Sequence, residues 1–278
     1  MGKQQQEVGN QSTAIQVEGD LHIGPNYEEI KQIFLDLFDL NFPQIQQAAK
    51  ETAAQRINEF LAELRKSFEN NKESIDPRKF SDPGIQYEMQ QMAIDVARRG
   101  NKSNIELLSE LLCIITSSDC PDLIELIAGE TRKILPMLSK KHLEYLSFLI
   151  LFYEAILPVA NLEQVNENLN ETLNYLKGLS EITPGDLSYL SSNSCINQRS
   201  IRLIRVVPKI VTSIKEYENI SLPELKSITH DKGLLNIEKL IVLSEQLGIG
   251  TYYPSAFGRL IGWLNLGKYS EVDPRQLF

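Results

Sequence analysis

The sequence predicts a mainly α protein, a multi-helix bundle preceded by a short N-terminal β-strand that pairs between chains. Three observations carry that expectation. From residue 27 onward, apolar residues recur three and four positions apart in one segment after another, the pattern of helices with one buried face. Between Thr13 and Ile23 the period is two instead, with Ile15, Val17, Leu21 and Ile23 on one side and Gln16, Glu18, Asp20 and His22 on the other. A lone strand in a helical chain leaves its backbone N–H and C=O groups without partners. Those partners must come from the ambiguous stretch 201–214 or from a second chain, and pairing with a second chain is expected. Gly19 sits on the apolar side and permits close approach around a shared axis.

The elements follow in order. Gly24-Pro25-Asn26 stops the strand. Ile30, Ile33, Phe34, Leu37 and Phe38 make the apolar face of a first helix over 27–40. Asn41 reads as the cap of a second, with Pro43 in its first turn and a stripe of Ile45, Ala49, Ala53, Ile57, Phe60, Leu61, Leu64 and Phe68. The aromatic residues Phe34, Phe38, Phe42, Phe60 and Phe68 keep helical spacing and are expected in core or seam positions. After a polar hinge over 70–81, Asp82-Pro83 starts a helix that Gly100 ends in the left-handed conformation. Further helices are expected at 103–117, 121–137, 139–157 and 162–177, and Thr183-Pro184-Gly185-Asp186 opens another. Ser191 to Asn197 reads as a polar break. Helix and strand compete over 201–214, where β-branched residues surround Pro208. Helices at 222–230, 234–247 and 255–266 complete the chain, with a turn at Gly248-Ile249-Gly250. Four divisions result: a tail and oligomerisation strand (1–26), a long helical hairpin or stalk (27–72), a helical bundle core (82–180) and a C-terminal helical subdomain (181–278).

Composition narrows the function classes. With 278 residues, 42% of them hydrophobic, the chain can bury a core without disulfide or metal staples. The net charge of −9 argues against bulk binding to nucleic acid or an anionic membrane. Three widely spaced cysteines, Cys113, Cys120 and Cys195, read as reduced thiols, and a cytoplasmic location is expected. The polar N-terminus with Gln4-Gln5-Gln6 has no apolar core of a secretory leader. The most apolar stretch, Leu143 to Ala160, is interrupted by Glu144, Ser147, Glu154 and Pro158, and reads as a buried helix rather than a membrane span.

Several segments together resemble a bacterial family of uncharacterised proteins, the LPO_1073/Vpar_1526 family. The resemblance is carried by Glu29 to Phe38, Asn41-Phe42-Pro43, Phe80-Ser81-Asp82-Pro83 with Gln86-Tyr87, and Ala97-Arg98-Arg99-Gly100. Leu107-Leu108, Leu111-Leu112, Ala128, Glu130 and Leu138-Ser139 continue it. It is strongest over 27–157, with looser likeness in the strand Gln16–Gly24 and in Pro254–Gly262. It implies a mostly helical protein, transfers no catalytic residue, and by association suggests a bacterial defence or conflict setting.

The chemistry-bearing residues give no reaction. His22, His142 and His230 stand in no metal-ligand spacing, so no metal and no cofactor are expected. His22 is expected on the polar face of the strand, His142 at the surface in a helix first turn, and His230 in a turn. No nucleophile elbow or phosphate loop is present, and Gly248-x-Gly250 lacks both the lysine and the third glycine that such loops need. Arg199, Arg202, Arg205 and Lys209 form the densest basic run. On a helix Arg202, Arg205 and Lys209 would share a face and offer a contact to another protein. The expected function is therefore a non-enzymatic, homo-oligomeric interaction, scaffold or sensor protein, assembled through Ile15, Val17, Gly19, Leu21 and Ile23. The alternative is an effector that acts, once oligomerised, on a membrane or through a composite intersubunit site. Burial of Leu146, Leu149, Ile150 and Tyr153 separates the two.

Overall fold

A computed structural model describes residues 27–100, 104–155, 159–200 and 206–267, with side chains from Gln47 onward. The expected N-terminal strand lies outside them. The chain divides into two compact units, 1–51 and 52–278. Helix α1 (Tyr27–Asn70) is continuous through Asn41 and Pro43, where the sequence suggested a new start. Propagating a helix is cheap once it is nucleated, so the missing N–H of Pro43 does not end a 44-residue helix.

In the second unit the C-terminal turns of α1 bury Phe60 and Leu64, and the Phe68 ring lies 5.7 Å from that of Phe80. A 3-10 turn (Pro77–Ser81) leads to α2 (Pro83–Arg99), where Asp82 caps Gly84 and Ile85 from Oδ1 as expected. Gly100 does end α2, but at φ 57° and ψ −133° rather than in the left-handed helical region. Its last carbonyls, of Ala97 and Arg98, accept from Arg56 Nη1 on α1 at 3.0 and 2.9 Å. Then come α3 (Ile105–Ile115) and α4 (Asp122–Ile134), the latter running into a 3-10 turn over Leu135–Met137 beside Pro136.

Helix α5 (Lys140–Tyr153) is the centre of the core. Leu146, Phe148, Leu149 and Ile150 are fully buried, as a helix apolar all round requires. The last helix, α11 (Ala256–Gly267), packs along α5, and α3 and α4 lie against α11. Two glycines make this possible. A Cβ on Gly262 would stand 2.7 Å from the Leu146 carbonyl oxygen, and one on Gly258 only 1.8 Å from that of Cys195. Small residues four apart let the two backbones meet. Ser147 Oγ donates to the Gly262 carbonyl at 3.2 Å and accepts from Asn265 Nδ2 at 2.8 Å, so the polar atoms of this dry seam are paired.

The remaining sides of α5 are covered by a 3-10 segment (Lys177–Glu181) and by α8 (Lys209–Thr212). Helix α6 (Leu162–Tyr175) precedes that 3-10 segment and α7 (Pro184–Ser192) follows it, the latter capped by Thr183 and Asp186 as the sequence predicted. The polar break around Cys195 turns out to hold β1 (Ile196–Gln198). It pairs antiparallel with β2 (Tyr252–Pro254), Asn197 opposite Tyr253. Between them run α9 (Leu222–Asp231) and α10 (Leu235–Gln246). Ser221 and Glu224 form a capping box at the start of α9. The two strands are too short to be read by periodicity. They exist because α11 pins the chain at Cys195, where Ser255 N–H meets the Cys195 carbonyl at 3.0 Å.

Candidate functional site

The oligomerisation residues Ile15, Val17, Gly19, Leu21 and Ile23 lie outside the described residues, as do Arg202 and Arg205. Lys209 is exposed and opens the short helix α8, with Pro208 as its N-cap. Residues 206–208 carry no helix, so no single helix joins Lys209 to the positions of Arg202 and Arg205.

Three clusters of polar side chains deserve a chemical test. The first resembles a His–Asp dyad. His142, expected at the surface, is buried at 7% exposure and its Nε2 lies 2.9 Å from Asp186 Oδ1. Its Nδ1 accepts from the Ser139 backbone N–H at 3.2 Å, so in the neutral ring the proton sits on Nε2 and points at Asp186. Both ring nitrogens are thus occupied, and Tyr189 stacks on the ring with centroids 5.4 Å apart. Asp186 also accepts from Lys141 Nζ at 2.9 Å, from Thr183 Oγ1 at 2.7 Å and from Thr183 N–H at 2.8 Å. Desolvation works to raise the Asp186 pKa, but the donors from Lys141, Thr183 and His142 outweigh it and hold the carboxyl well below the usual range. A dyad of this kind has no free nitrogen for a nucleophile or a proton in transit. It fastens the N-terminus of α5 to that of α7.

The second cluster ties α4 to α2. Arg132, 4% exposed, places Nε 2.5 Å from Glu88 and Nη1 2.9 Å from Asp95. Glu88 and Asp95 are seven residues apart on α2 and share a face, so one guanidinium spans two turns. Glu144 on α5 is buried too. It accepts from the Gly178 N–H and lies 3.8 Å from Lys140. Burial pushes its pKa up, with Gly178 and Lys140 acting against it.

The third cluster sits where β1 leaves the sheet. Arg199 stacks on two tyrosines, its guanidinium carbon 5.4 Å from the Tyr153 ring centre and 4.8 Å from that of Tyr253. The Tyr153 hydroxyl lies against the carbonyl of Ile249 and 3.1 Å from that of Tyr252. One residue on, Glu154 accepts from Arg259 Nε at 2.9 Å and from Trp263 Nε1 at 3.1 Å. The sequence reading counted Arg199 in the basic run but missed its aromatic partners. They lie far along the chain, and only the β1–β2 pairing brings them together.

Other groups offer little chemistry. Burial pushes the thiols of Cys113 and Cys195 up to about 12, with Glu110 adding to the effect at Cys113, so neither is a thiolate near neutral pH. Among the described residues no three His, Cys, Asp or Glu side chains converge as a metal site. Nor is any helix among them long and apolar enough to cross a membrane.

No curated protein and no solved structure matches the chain. A family model matches residues 24–268, a span that takes in 27–157 and Pro254–Gly262 but not the strand segment before Gly24. With that match covering most of its length, the chain belongs to the LPO_1073/Vpar_1526 family, whose function is uncharacterised.

Proposed function

We propose that this protein is a non-enzymatic, homo-oligomeric interaction or scaffold protein, assembled through the strand at Ile15, Val17, Gly19, Leu21 and Ile23. One observation supports it above the rest: the groups that would do chemistry are used up by structure. His142 has both nitrogens bonded, Arg132 is held by two carboxylates, and Cys113 and Cys195 are buried as neutral thiols. The period-two segment falls in the unit 1–51, and the described core falls in the unit 52–278. A short segment of period two is suited to pairing with copies of itself. The bacterial, cytosolic defence or conflict setting that completes this proposal follows the family association and no residue.

Light scattering on the full chain and on a chain lacking Met1–Gly24 tests the reading, with helicity followed by circular dichroism. We expect an oligomer that falls to monomer with its helices retained. An unchanged mass after the deletion overturns the strand as the assembly element. The membrane form of the effector reading loses its basis at α5, where Leu146, Leu149 and Ile150 are fully buried and Tyr153 is partly buried.

A further inference from the structure

The structure assigns an oxyanion-binding site to Arg199, built by the tyrosines that hold its guanidinium at the open end of the β1–β2 pair.

Arginines in a folded interior are normally satisfied by a carboxylate or by backbone carbonyls. Arg132 and Arg259 show that pattern here. Arg199 does not. Its side chain is half-buried, and Nε is enclosed without a hydrogen-bond partner. No carboxylate and no carbonyl among the described residues accepts from the guanidinium. It is gripped by the Tyr153 and Tyr253 rings and by the Tyr153 phenol. Burial raises the pKa of the Tyr153 phenol, and a hydrogen bond from Arg199 together with its charge works against that rise. Arg199 as a residue is only half-buried, so its guanidinium is not sealed from the surface although Nε is enclosed.

The surroundings fix that fork in place. The Arg199 backbone N–H donates to the Thr251 carbonyl at 2.8 Å, which extends the β1–β2 ladder by one bond. Tyr153 is immobilised at its hydroxyl by the carbonyls of Ile249 and Tyr252. Tyr253, 37% exposed, forms the outer wall. A second orphan lies close by: the hydroxyl of Tyr145, fully buried, has no partner, and its nearest ionisable neighbours are Tyr252 and Tyr153. Of the three enclosed side-chain atoms without a partner among the described residues, two belong to this cluster. A planar cation held between two aromatic rings, with no carboxylate beside it and an Nε donor left without a partner, is preorganised for a planar or tetrahedral oxyanion. The shared chemistry is a carboxylate or a phosphate group, presented by a small molecule or by the end of a side chain. This inference is independent of the proposed oligomerisation, since Arg199 lies in the unit 52–278.

Calorimetric titration of the full chain at low ionic strength tests it, with inorganic phosphate and acetate as the two probes. We expect saturable binding of at least one probe, weakened by added salt and weakened roughly tenfold or more by Arg199→Met, with Arg199→Lys in between. Binding of phosphate alone identifies a phosphate ligand, and binding of both identifies a general oxyanion site that takes carboxylates. Lys209→Ala, outside the cluster, should bind as the parent does. Should Arg199→Met not fold, Tyr253→Leu removes the outer wall from a partly exposed position and should weaken binding as well. Absence of saturable binding, or an affinity unaltered in Arg199→Met, overturns the assignment. So does an affinity unaltered in Tyr253→Leu where Arg199→Met does not fold. The strand deletion that tests assembly leaves this site intact, so the two readings fail separately.

Discussion

The seam between α5 and α11 and the corner at Arg199 treat buried polar atoms in opposite ways. In the seam, Ser147, Asn265 and the Gly262 carbonyl satisfy one another within 3.2 Å, and everything around them is apolar. At the corner, Arg199 Nε and the Tyr145 hydroxyl are enclosed and bonded to nothing. Tyr145 and Ser147 are two residues apart on the same helix. One side of α5 is therefore finished as structure, and the side toward β2 is left with unused donors. An unpaired buried donor costs about 1–3 kcal/mol. Two of the three enclosed side-chain atoms without a partner among the described residues fall in this one corner, which points to it as the place where something else binds.

Changes to the finished side should have the largest effects. Ile150→Asp puts a carboxylate into the fully buried centre of α5, beside Gly262. The expected loss is several kcal/mol, on the scale of the roughly 5–15 kcal/mol that holds a domain together. We expect insoluble or unfolded protein, read as loss of the soluble fraction and of the helical circular dichroism signal. A folded variant that has lost liposome binding would instead make α5 a surface element and reverse the comparison.

Gly262→Val probes the same seam more gently. The new Cβ alone would sit 2.6 Å from Ile150 Cγ1 and 2.7 Å from the Leu146 carbonyl oxygen, so α11 must move away from α5. Overpacking of this kind costs roughly 1–3 kcal/mol, and backbone contact puts the variant at the upper end. Urea unfolding should show a lower midpoint with an unchanged slope. By contrast Tyr253→Leu, at the corner, should shift the midpoint little. Equal losses from the two would mean that the corner is as structural as the seam.

Asp186→Asn has a smaller, pH-dependent effect. The folded-state carboxyl is held below the ordinary range, so its contribution is fully present above the unfolded pKa of about 3.9 and is lost as pH falls toward the folded value. The thermal midpoint of the parent should exceed that of the variant by a constant margin above pH 5, and the margin should shrink below pH 4. A margin that is flat down to pH 2 would mean that the charge of Asp186 is not what fastens α7 to α5.

Much of the fold was legible in the sequence because helices announce themselves locally. The start of α2 at Asp82-Pro83, of α5 at Ser139, of α7 at Thr183 and of α9 beyond Ser221 all depend on residues within one turn. What went unread depends on contacts between distant segments. Gly258 and Gly262 were visible as a pair in Pro254–Gly262, but nothing local says that their flat face fits α5 rather than another helix. His142 looked solvated beside Lys140 and Lys141, and it is buried because Asp186, 44 residues on, reaches it. Strands of three residues offer too few positions for a period to show, so β1 and β2 escaped, and with them the aromatic grip on Arg199.

Glu144 sharpens the comparison with the smallest expected effect, because it is a buried charge on the finished side of the molecule. Desolvation raises its pKa in the folded state, and the Gly178 N–H and Lys140 offset only part of that. An acid whose folded pKa lies above its unfolded value favours folding when protonated. That advantage is present below the unfolded pKa and is lost as pH rises through the folded one. At neutral pH the carboxylate therefore weighs against the fold. Glu144→Gln keeps an acceptor for the Gly178 N–H and removes the charge. It forgoes only the contact with Lys140, which is 3.8 Å away on a side chain 76% exposed and worth little in water. The variant should melt at the same temperature as the parent or slightly higher at pH 7, and the difference should vanish near pH 4. A variant clearly less stable at pH 7 would show that the Glu144 charge is compensated in full and that the side of α5 toward Gly178 holds an ion as well as the seam holds hydroxyls and amides.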